Sequence, residues 1–259
     1  MPAPHNPFKS RLAAGEALMG AWVGLADSYA AEITASAGFD WLLIDGEHAP
    51  NDLRSIMAQL RVVQASGSHP VVRLPMDETW AIKQVLDIGA QSILIPMVES
   101  RSQAERLVRA TRYAPQGNRG VGAALARASG FAAVTDYIAT AGEQIWLGVQ
   151  VETRAGLAAL DDILAVEGVD GVFIGPADLA ADMGFGADLG AAPVVEAVLD
   201  AIRRIAASGK APGILMTDPA LAQQCLDAGA RFVATSIDVI TYALAIRAAG
   251  EAARALRDG

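Results

Sequence analysis

Eight short apolar runs recur along the chain, separated by amphipathic stretches and turn residues. Runs that are almost continuously apolar, rather than alternating, are typical of parallel strands covered by helices on both faces. Eight such strands with helical returns between them predict an α/β fold of the (β/α)8 type, the closed TIM barrel. The runs cover residues 18–25, 41–45, 70–75, 92–98, 145–152, 171–175, 213–216 and 232–238.

Three of the connections end in similar phrases just before the next run. They read "ASAGFDWLLI", "VLDIGAQSILI" and "CLDAGARFVA". Each has a glycine where the C-terminus of a helix commonly needs a residue in the left-handed conformation. We interpret the three as one kind of helix-to-strand joint that is used repeatedly, as a barrel requires.

The length of 259 residues predicts a single (β/α)8 domain over 1–259, since such barrels have about 250 residues. Aromatic residues make up only 5% of the chain, which predicts a core built mainly from Ala, Val, Leu and Ile. The longest stretch without periodicity, 113–131, is rich in Gly, Pro and Asn and predicts a loop, which at this length is either functional or disordered. The Ala-rich end of the chain predicts a long C-terminal helix, which we expect to pack on a neighbouring subunit or to be exchanged with it.

The charge pattern argues against nucleic acids and anionic membranes as partners. The net charge is −9 and no cluster of Lys and Arg exceeds the pair at 203–204, so neither nucleic acid nor an anionic membrane is an expected partner. The chain starts without a signal-like segment, and no apolar run approaches the roughly 18 residues of a membrane span, so we predict a cytoplasmic protein. Its one cysteine, Cys225, lies in a helical context and is expected to be a packed, inert thiol.

Polar side chains gather where several of the predicted strands end. In a barrel of this type the chemistry takes place at the carboxyl ends of the strands, so these side chains are the candidates for a functional site. They are Asp45, Glu47 and His48 after the second run, Arg73 in the third, Gln150 and Glu152 in the fifth, and Asp178 after the sixth.

Glu152 and Asp178 are candidate metal ligands. They are about one strand–helix–strand repeat apart, so they are expected at the ends of adjacent strands, where two carboxylates repel each other unless they share a proton or a cation. A hard divalent ion such as Mg²⁺ or Mn²⁺, with water and substrate completing its shell, would relieve that repulsion. The alternative is that each carboxylate caps the helix that follows it.

Arg73 and His48 each have two interpretations. A guanidinium inside an apolar strand is costly unless it meets an anion, so Arg73 either binds a negatively charged group of a ligand or forms a structural ion pair with a nearby acid. His48 is either a proton-transfer group oriented by a carboxylate or a solvated loop residue. His5 and His69 lie at the terminus and in a predicted turn, and no role is assigned to them.

Several residue types are missing from the predicted strand ends. The lysines are Lys9 in the N-terminal tail, Lys83 in a helix and Lys210 just before the seventh run, so no Schiff-base amine is expected. The loops after the seventh and eighth runs lack the glycines of the usual barrel phosphate site. The phrase "GNRGVG" at 117–122 neither follows a strand nor opens an obvious helix, so no nucleotide cofactor is expected.

Six motifs in order resemble the HpcH/HpaI family of metal-dependent 2-oxo-acid (pyruvate) aldolases, of the 4-hydroxy-2-oxoheptanedioate aldolase type. The resemblance covers nearly the whole chain. The motifs are "DGEH" at 45–48, "VRLP" at 72–75, "KQVLDIGAQSILIPMV" at 83–98, "YAPQGNRGVG" at 113–122, "QVET" at 150–153 and "IGPADLA" at 174–180.

The resemblance implies a (β/α)8 barrel, a divalent metal (Mg²⁺, Mn²⁺ or Co²⁺) and a class II aldolase. Such an enzyme reversibly cleaves 4-hydroxy-2-oxo acids to pyruvate, or hydroxypyruvate, and an aldehyde. By motif, Glu152 and Asp178 would be the metal ligands, while Gln150 and the backbone around Ala177 and Asp178 would hold the oxo acid. His48 would be the acid/base.

The resemblance also implies a homo-oligomer, a hexamer, with sites at subunit interfaces. Arg73 would stabilise the developing enolate, and Asp87 would raise the basicity of the histidine. Asp87 lies only five residues before the fourth strand, near the opposite face of its own barrel, so it can reach His48 only across an interface. The chain departs from the family pattern at Ala180, where relatives often have Ser, which affects local hydrogen bonding.

The residues leave two other functions open. One is a CoA-ester lyase of the citrate lyase β-subunit type, which would use the same carboxylates but has no clear use for "DGEH". The other is a non-catalytic sensor of 2-oxo acids on the same barrel. Trp22, at the end of the first run, is either a wall of the aldehyde pocket or a core residue.

Overall fold

Eight parallel strands form a closed barrel in chain order, with the eighth strand hydrogen-bonded to the first. The computed structural model describes residues 1–258. Each strand coincides with one of the eight apolar runs, so the predicted (β/α)8 fold is confirmed. The strands are β1 (Leu18–Val23), β2 (Trp41–Asp45), β3 (His69–Arg73), β4 (Ser92–Ile95), β5 (Trp146–Val151), β6 (Gly171–Ile174), β7 (Ala211–Leu215) and β8 (Phe232–Ile237).

Twelve α-helices precede, connect and follow the strands within the described part of the chain. Several begin at a side chain that accepts a backbone N–H of the first turn, as Asp52 does for the third helix. The helices are α1 (Pro7–Ala13), α2 (Ser28–Ala35), α3 (Leu53–Gln64), α4 (Thr79–Asp87), α5 (Arg101–Thr111), α6 (Tyr137–Gln144), α7 (Arg154–Ala158), α8 (Leu160–Leu164), α9 (Pro176–Asp182), α10 (Ala192–Ala207), α11 (Pro219–Asp227) and α12 (Asp238–Asp258).

The three predicted helix-to-strand joints have the expected backbone. Gly38, Gly89 and Gly229 have φ values of 87°, 103° and 115°, in the left-handed region that favours glycine. Each ends the return that leads into β2, β4 or β8. The shared sequence phrase therefore marks a shared turn.

The core has two layers of different composition. Between the strands and the helices it is aliphatic, as the composition predicts. The interior of the barrel combines Leu, Val and Ala side chains with aromatic rings, so aromatic residues contribute more there than the composition alone predicts. These rings belong to Phe8, Trp22, Trp41, Trp146, Phe173 and Phe232.

The space for the rings comes from glycines on the strands. A Cβ atom built on Gly20 would lie 2.3 Å from the Trp41 indole, and one built on Gly213 would lie 2.2 Å from the Phe232 ring. Such distances are too short for any side chain, so large and small residues interdigitate inside the barrel.

The N-terminal segment is a helix rather than the predicted tail. Asn6 caps α1 by accepting the N–H of Lys9, and the helix places Phe8 against the rings of Trp41 and Trp146. The Nζ of Lys9 donates to the carbonyl of Ile145 over 2.7 Å. This helix covers the end of the barrel where the strands begin.

The helix α12 starts at the seam between β8 and β1. The carboxylate of Asp238 accepts the N–H groups of Gly24 and Leu25 over 2.8 and 3.2 Å, so the start of the helix is tied to the end of β1. Farther along α12, the large hydrophobic side chains of Tyr242 and Leu244 are exposed. Exchange of this helix between subunits stays a prediction.

No helix in residues 1–258 combines the length and apolar character needed to cross a membrane. Cys225 is buried in α11, and burial raises the pKa of its thiol to about 11, which agrees with the predicted inert thiol. The loop at 113–131 contains two short 3-10 helices, at Ala123–Leu125 and Arg127–Ser129.

Candidate active site

A cavity of about 460 Å³ opens at the carboxyl ends of the strands. This is the end of a (β/α)8 barrel where catalytic groups are found. The cavity brings together most of the residues predicted from the sequence. Those that line it are Trp22, His48, Arg73, Gln150, Ala177 and Asp178.

Arg73 is a buried cation held by acids of the neighbouring strand. It lies opposite Asp45 in the β2–β3 register, and its Nε and Nη2 donate to the two carboxylate oxygens of Asp45 over 2.9 and 2.7 Å. Its Nη1 lies 2.7 Å from the carboxylate of Glu47. The structural ion pair expected as one alternative is present, and Arg73 also lines the cavity, so its contact with a negatively charged group of a ligand stays a prediction.

Arg73 has a marked effect on the acids around it. Burial raises the pKa of Asp45, but the hydrogen bonds and charge of Arg73 outweigh it and the pKa of that carboxyl is lowered. For Glu47 burial dominates, and its pKa is raised. The Oε2 of Glu47 is buried without an aligned hydrogen bond, despite its short contact with Arg73. Glu47 is therefore the less satisfied of the two acids.

His48 extends the same cluster toward solvent. Its Nε2 lies 3.9 Å from the Glu47 carboxylate, longer than a hydrogen bond, and its side chain is 69% exposed. An exposed imidazole at the rim of the cavity can exchange protons with both solvent and a bound molecule. The carboxylate that lies beside His48 in this chain is that of Glu47, whereas the partner implied by the resemblance is Asp87.

Glu152 lies at the end of β5 with each carboxylate oxygen in contact with a donor. Its Oε1 accepts the backbone N–H of Met97 over 2.8 Å, and its Oε2 accepts from the side-chain amide of Gln150. Burial raises the pKa of Glu152, and the charges of Asp178 and Glu47 raise it further. Three carboxylates thus act on one another electrostatically at this end of the barrel.

Gly175 makes room for that carboxylate. A Cβ atom at this position, just after β6, would lie 2.5 Å from Oε2 and 2.7 Å from Cβ of Glu152. Any other residue would displace Glu152. The motif "IGPAD" therefore requires its glycine for steric reasons.

The alternative in which each carboxylate caps a helix is wrong for Glu152. The N-cap of α7 is Thr153, whose hydroxyl accepts the N–H of Gly156 over 3.0 Å. The N-cap of α9 is Gly175, and Asp178 lies in the first turn of that helix on the exposed side of the cavity. A carboxylate is favoured there by the helix dipole, and its oxygens face the cavity region.

The donor set fits a hard divalent cation held by two carboxylates. Among residues 1–258 no three His, Cys, Asp or Glu side chains are grouped to enclose a metal ion, so Glu152 and Asp178 would be joined by water and substrate oxygens. The buried Oε1 of Gln150 has no hydrogen-bond partner, which leaves a further oxygen facing the site. Such an open shell is typical of a cation that must also bind substrate.

Asp87 lies far from this cavity in its own chain, as its position before β4 predicts. It is the last residue of α4, and its carboxylate is 2.6 Å from Nη2 of the buried Arg119 in the loop at 113–131. The structure does not bring Asp87 to His48 within one chain. Their association stays a prediction that requires a second subunit.

Two of the three lysines are placed as the sequence predicts. Lys83 lies in α4, and Lys210 precedes β7 and donates to the carbonyls of Val166 and Val169 over 3.0 and 2.6 Å. With Lys9 in α1, all three lysines lie away from the carboxyl ends of the strands.

Sequence reasoning missed some residues of the site. Met97, whose N–H binds Glu152, carries no signal of its polar role in "IPMVES". The apolar wall of the cavity was also missed, although it comes from the ends of the last three strands and the start of α12. That wall includes Phe173, Leu215, Ile237 and Ile240.

Comparisons with known proteins identify the family and the relatives of this chain. The model of the HpcH/HpaI aldolase/citrate lyase family matches residues 18–245. The hydroxypyruvate/pyruvate aldolase of Roseovarius nubinhibens is 63% identical over 95% of this chain and 96% of that protein. The 4-hydroxy-2-oxo-heptane-1,7-dioate aldolase of Salmonella dublin is 51% identical over 92% of this chain and 90% of that protein.

A solved structure shows the same fold throughout. An HpcH/HpaI aldolase/citrate lyase family protein from Burkholderia cenocepacia J2315 superposes with a TM-score of 0.91 and 41% identity, covering 96% of this chain and 99% of that one. Fold, site and relatives together define a carbon–carbon lyase of the aldolase type that acts on small molecules. The chain belongs to the HpcH/HpaI aldolase/citrate lyase family, which confirms the resemblance drawn from its motifs.

Proposed function

We propose that this protein is a divalent-metal-dependent aldolase that cleaves 4-hydroxy-2-oxo acids reversibly to pyruvate or hydroxypyruvate and an aldehyde. The observation that carries the proposal is the content of one cavity. A buried arginine, a rim histidine and an exposed carboxylate line it together with Gln150, which contacts Glu152. The names of the two curated relatives point to the same substrates.

Glu152 and Asp178 would hold the cation, Mg²⁺, Mn²⁺ or Co²⁺, which family members generally require. When bound, the cation supplies Lewis-acid polarisation of the 2-oxo group. Its charge would offset the burial, and the repulsion from Asp178 and Glu47, that raise the pKa of Glu152, and so would keep that carboxylate ionised.

The protein's own groups bind and orient the oxo acid. Backbone N–H groups around Ala177 and Asp178, at the start of α9, can donate hydrogen bonds to its carboxylate, and the side-chain amide of Gln150 faces the cavity from β5. The apolar wall from β6 to α12 excludes water from the opposite side of the cavity. The aldehyde half of the substrate would lie toward Trp22 and this wall.

His48 and Arg73 would serve bond cleavage. The Nε2 of His48 takes the proton from the C4 hydroxyl as the C3–C4 bond breaks, and the new aldehyde leaves. Negative charge then develops on the oxo-acid fragment, and the guanidinium of Arg73 lies fixed in the cavity wall to stabilise it. His48 then returns the proton to C3 of that fragment, which completes the reaction without net gain or loss of protons.

Cation removal and Glu152→Ala test the proposal together. We expect EDTA treatment to abolish aldol cleavage and the exchange of pyruvate methyl protons for deuterium, and Mn²⁺ or Mg²⁺ to restore both. Glu152→Ala should lower the rate by at least about a hundred-fold even with excess metal, because one of two protein ligands is lost.

A matched substitution serves as the control. Glu105→Ala removes an exposed glutamate that pairs only with Arg101 on α5, and it should leave the rate unchanged. Cleavage that persists in EDTA and in Glu152→Ala would refute the metal-dependent reaction. A panel of aldehydes with pyruvate or hydroxypyruvate, measured with each metal, would then identify the preferred substrates.

We also propose a homo-oligomer, a hexamer, in which Asp87 of one subunit approaches His48 of the next. The proposal is supported by the positions of the two residues within one chain. Asp87 pairs with Arg119 at the far side of its own barrel, while His48 is 69% exposed at the rim of the cavity. The exposed apolar side chains of α12 fit an interface between copies. A cytoplasmic location and a single domain over 1–259 complete the proposal.

A further inference from the structure

Met97 has an unusual backbone conformation in the segment that follows β4. Its φ is +55°, in the left-handed region that residues other than glycine, Asn and Asp seldom adopt. Non-glycine residues in such conformations are held by their surroundings and occur often at functional sites. The side chain of Met97 is 48% exposed, so its packing does not account for the conformation.

The conformation lets two successive amides bind the end of β5. The N–H of Met97 donates to Oε1 of Glu152 over 2.8 Å, and the N–H of Val98 donates to the carbonyl of Gln150 over 2.9 Å. In an extended strand, successive N–H groups point in opposite directions. The left-handed residue turns the first of these amides toward the carboxylate.

The carbonyl side of the same residue is also fixed. Nε2 of Gln103, on α5, donates to the carbonyl of Met97 and to Oδ2 of Asp77, each over 3.1 Å. Oε1 of Gln103 accepts the N–H of Glu99 over 3.0 Å. The two peptide groups that flank the Cα of Met97 are thus both held, the first by Glu152 and the second by Gln150 and Gln103.

We propose that Met97 is a positioning residue for the cation site: its left-handed backbone directs the amide that orients the Glu152 carboxylate. Met97 acts through Glu152 and does not touch the cation itself. The inference rests on the proposed function, in which Glu152 is a metal ligand. Groups that hydrogen-bond to a ligand in this way fix its orientation and tune the affinity of the metal.

Substitutions at residue 97 separate the backbone from the side chain. Met97→Val places a β-branched residue where φ is positive, which is strongly disfavoured, so the amide should leave Glu152. Met97→Gly keeps the left-handed conformation without strain. Met97→Ala shortens the side chain, and alanine tolerates this conformation about as well as methionine does. The chain offers a matched control in Met76→Val, at another exposed methionine whose φ is not positive.

The readout is cation binding rather than turnover. Titration calorimetry of Mn²⁺ into EDTA-treated protein should show affinity lowered about ten- to a hundred-fold in Met97→Val and unchanged in Met97→Gly, Met97→Ala and Met76→Val. Gln103→Leu, which removes the brace on the Met97 carbonyl, should show a smaller loss. It supplies the measurement if Met97→Val does not fold.

The outcomes distinguish this inference from the proposed function. Wild-type protein that binds Mn²⁺, with Met97→Val and Gln103→Leu binding equally well, would overturn the role of Met97 and leave the metal site intact. Loss of affinity in Met97→Ala to the extent seen in Met97→Val would assign the effect to the side chain and overturn it too. Wild-type protein that binds no Mn²⁺ would overturn both proposals.

Discussion

The guanidinium of Arg73 makes a set of contacts that a lysine could not reproduce. Its planar guanidinium forms two parallel hydrogen bonds with Asp45 and a third contact with Glu47, and it lies 5.3 Å from the centre of the Trp22 ring. A lysine ammonium is a compact charge that cannot make the paired bonds of the guanidinium fork. The acids of β2 therefore fix both the position and the orientation of the positive charge.

Arg73→Lys should reduce the rate of aldol cleavage by about a hundred-fold or more, with most of the loss in kcat. The charge remains but is no longer fixed where negative charge develops. Steady-state kinetics measures the effect, and Arg106→Lys, at an exposed ion pair with Asp77, is the matched control. Equal kcat values for Arg73→Lys and wild type would show that Arg73 serves only the structure.

At the scale of elements, β3 begins with a residue that the sequence did not single out. His69 stacks on Phe8 of α1 with the two rings 5.3 Å apart, and its Nε2 is 2.9 Å from the hydroxyl of Ser92 on β4. Burial lowers the pKa of His69 from 6.5 to about 4. The imidazole is thus kept neutral at the end of the barrel opposite to the cavity.

His69 should make the protein less stable in acid. Between pH 6.5 and about 4 the unfolded chain binds a proton at this residue and the folded protein does not, so the free energy of unfolding falls as the pH falls. The loss should reach about 1–3 kcal/mol by pH 4, the lower values reflecting partial exposure of the ring. Urea unfolding across this pH range measures it.

Two substitutions test whether His69 causes the loss of stability in acid. His69→Gln should flatten the dependence of stability on pH, because its side chain takes up no proton. His5→Gln, at an exposed histidine near the N-terminus, should leave that dependence unchanged. Identical pH dependence in His69→Gln and wild type would assign the acid lability to other groups.

These elements show which features a sequence reveals. The strands could be predicted because burial on both faces leaves a run of consecutive apolar residues, and the positions of Glu152 and Asp178 near the carboxyl ends of the strands because they follow such runs closely. The helix α1 was missed because its pattern covers only seven residues. The role of Met97 was missed because its partner is 55 positions away and the bond uses the backbone, which every residue carries.

At the scale of the whole molecule, Asp87 and His48 lie apart within one barrel. Their predicted contact across a subunit interface can be tested by mixing two inactive variants. Asp87→Ala and His48→Ala homo-oligomers should each be nearly inactive. When the two are dissociated and reassembled together, some interfaces regain an intact pair, and activity should return to a fraction of the wild-type level. Cleavage assays before and after reassembly measure it.

The mixing test has an internal control. Reassembly of each variant with itself should restore nothing, because each interface then lacks the same group. If the mixed protein stays as inactive as its parents, although sedimentation shows hybrid oligomers, Asp87 and His48 do not act across an interface.

In the aromatic interior of the barrel, substitutions at positions far apart in the sequence depend on one another during evolution. Gly20 can become larger only if Trp41 becomes smaller, and the same holds for Gly213 and Phe232. A single mutation on either side of such a pair meets a steric barrier, so relatives should change both positions or neither. The packed interior of the barrel should therefore be conserved as a block, and new substrate preferences are expected to arise from side chains at the rim of the cavity.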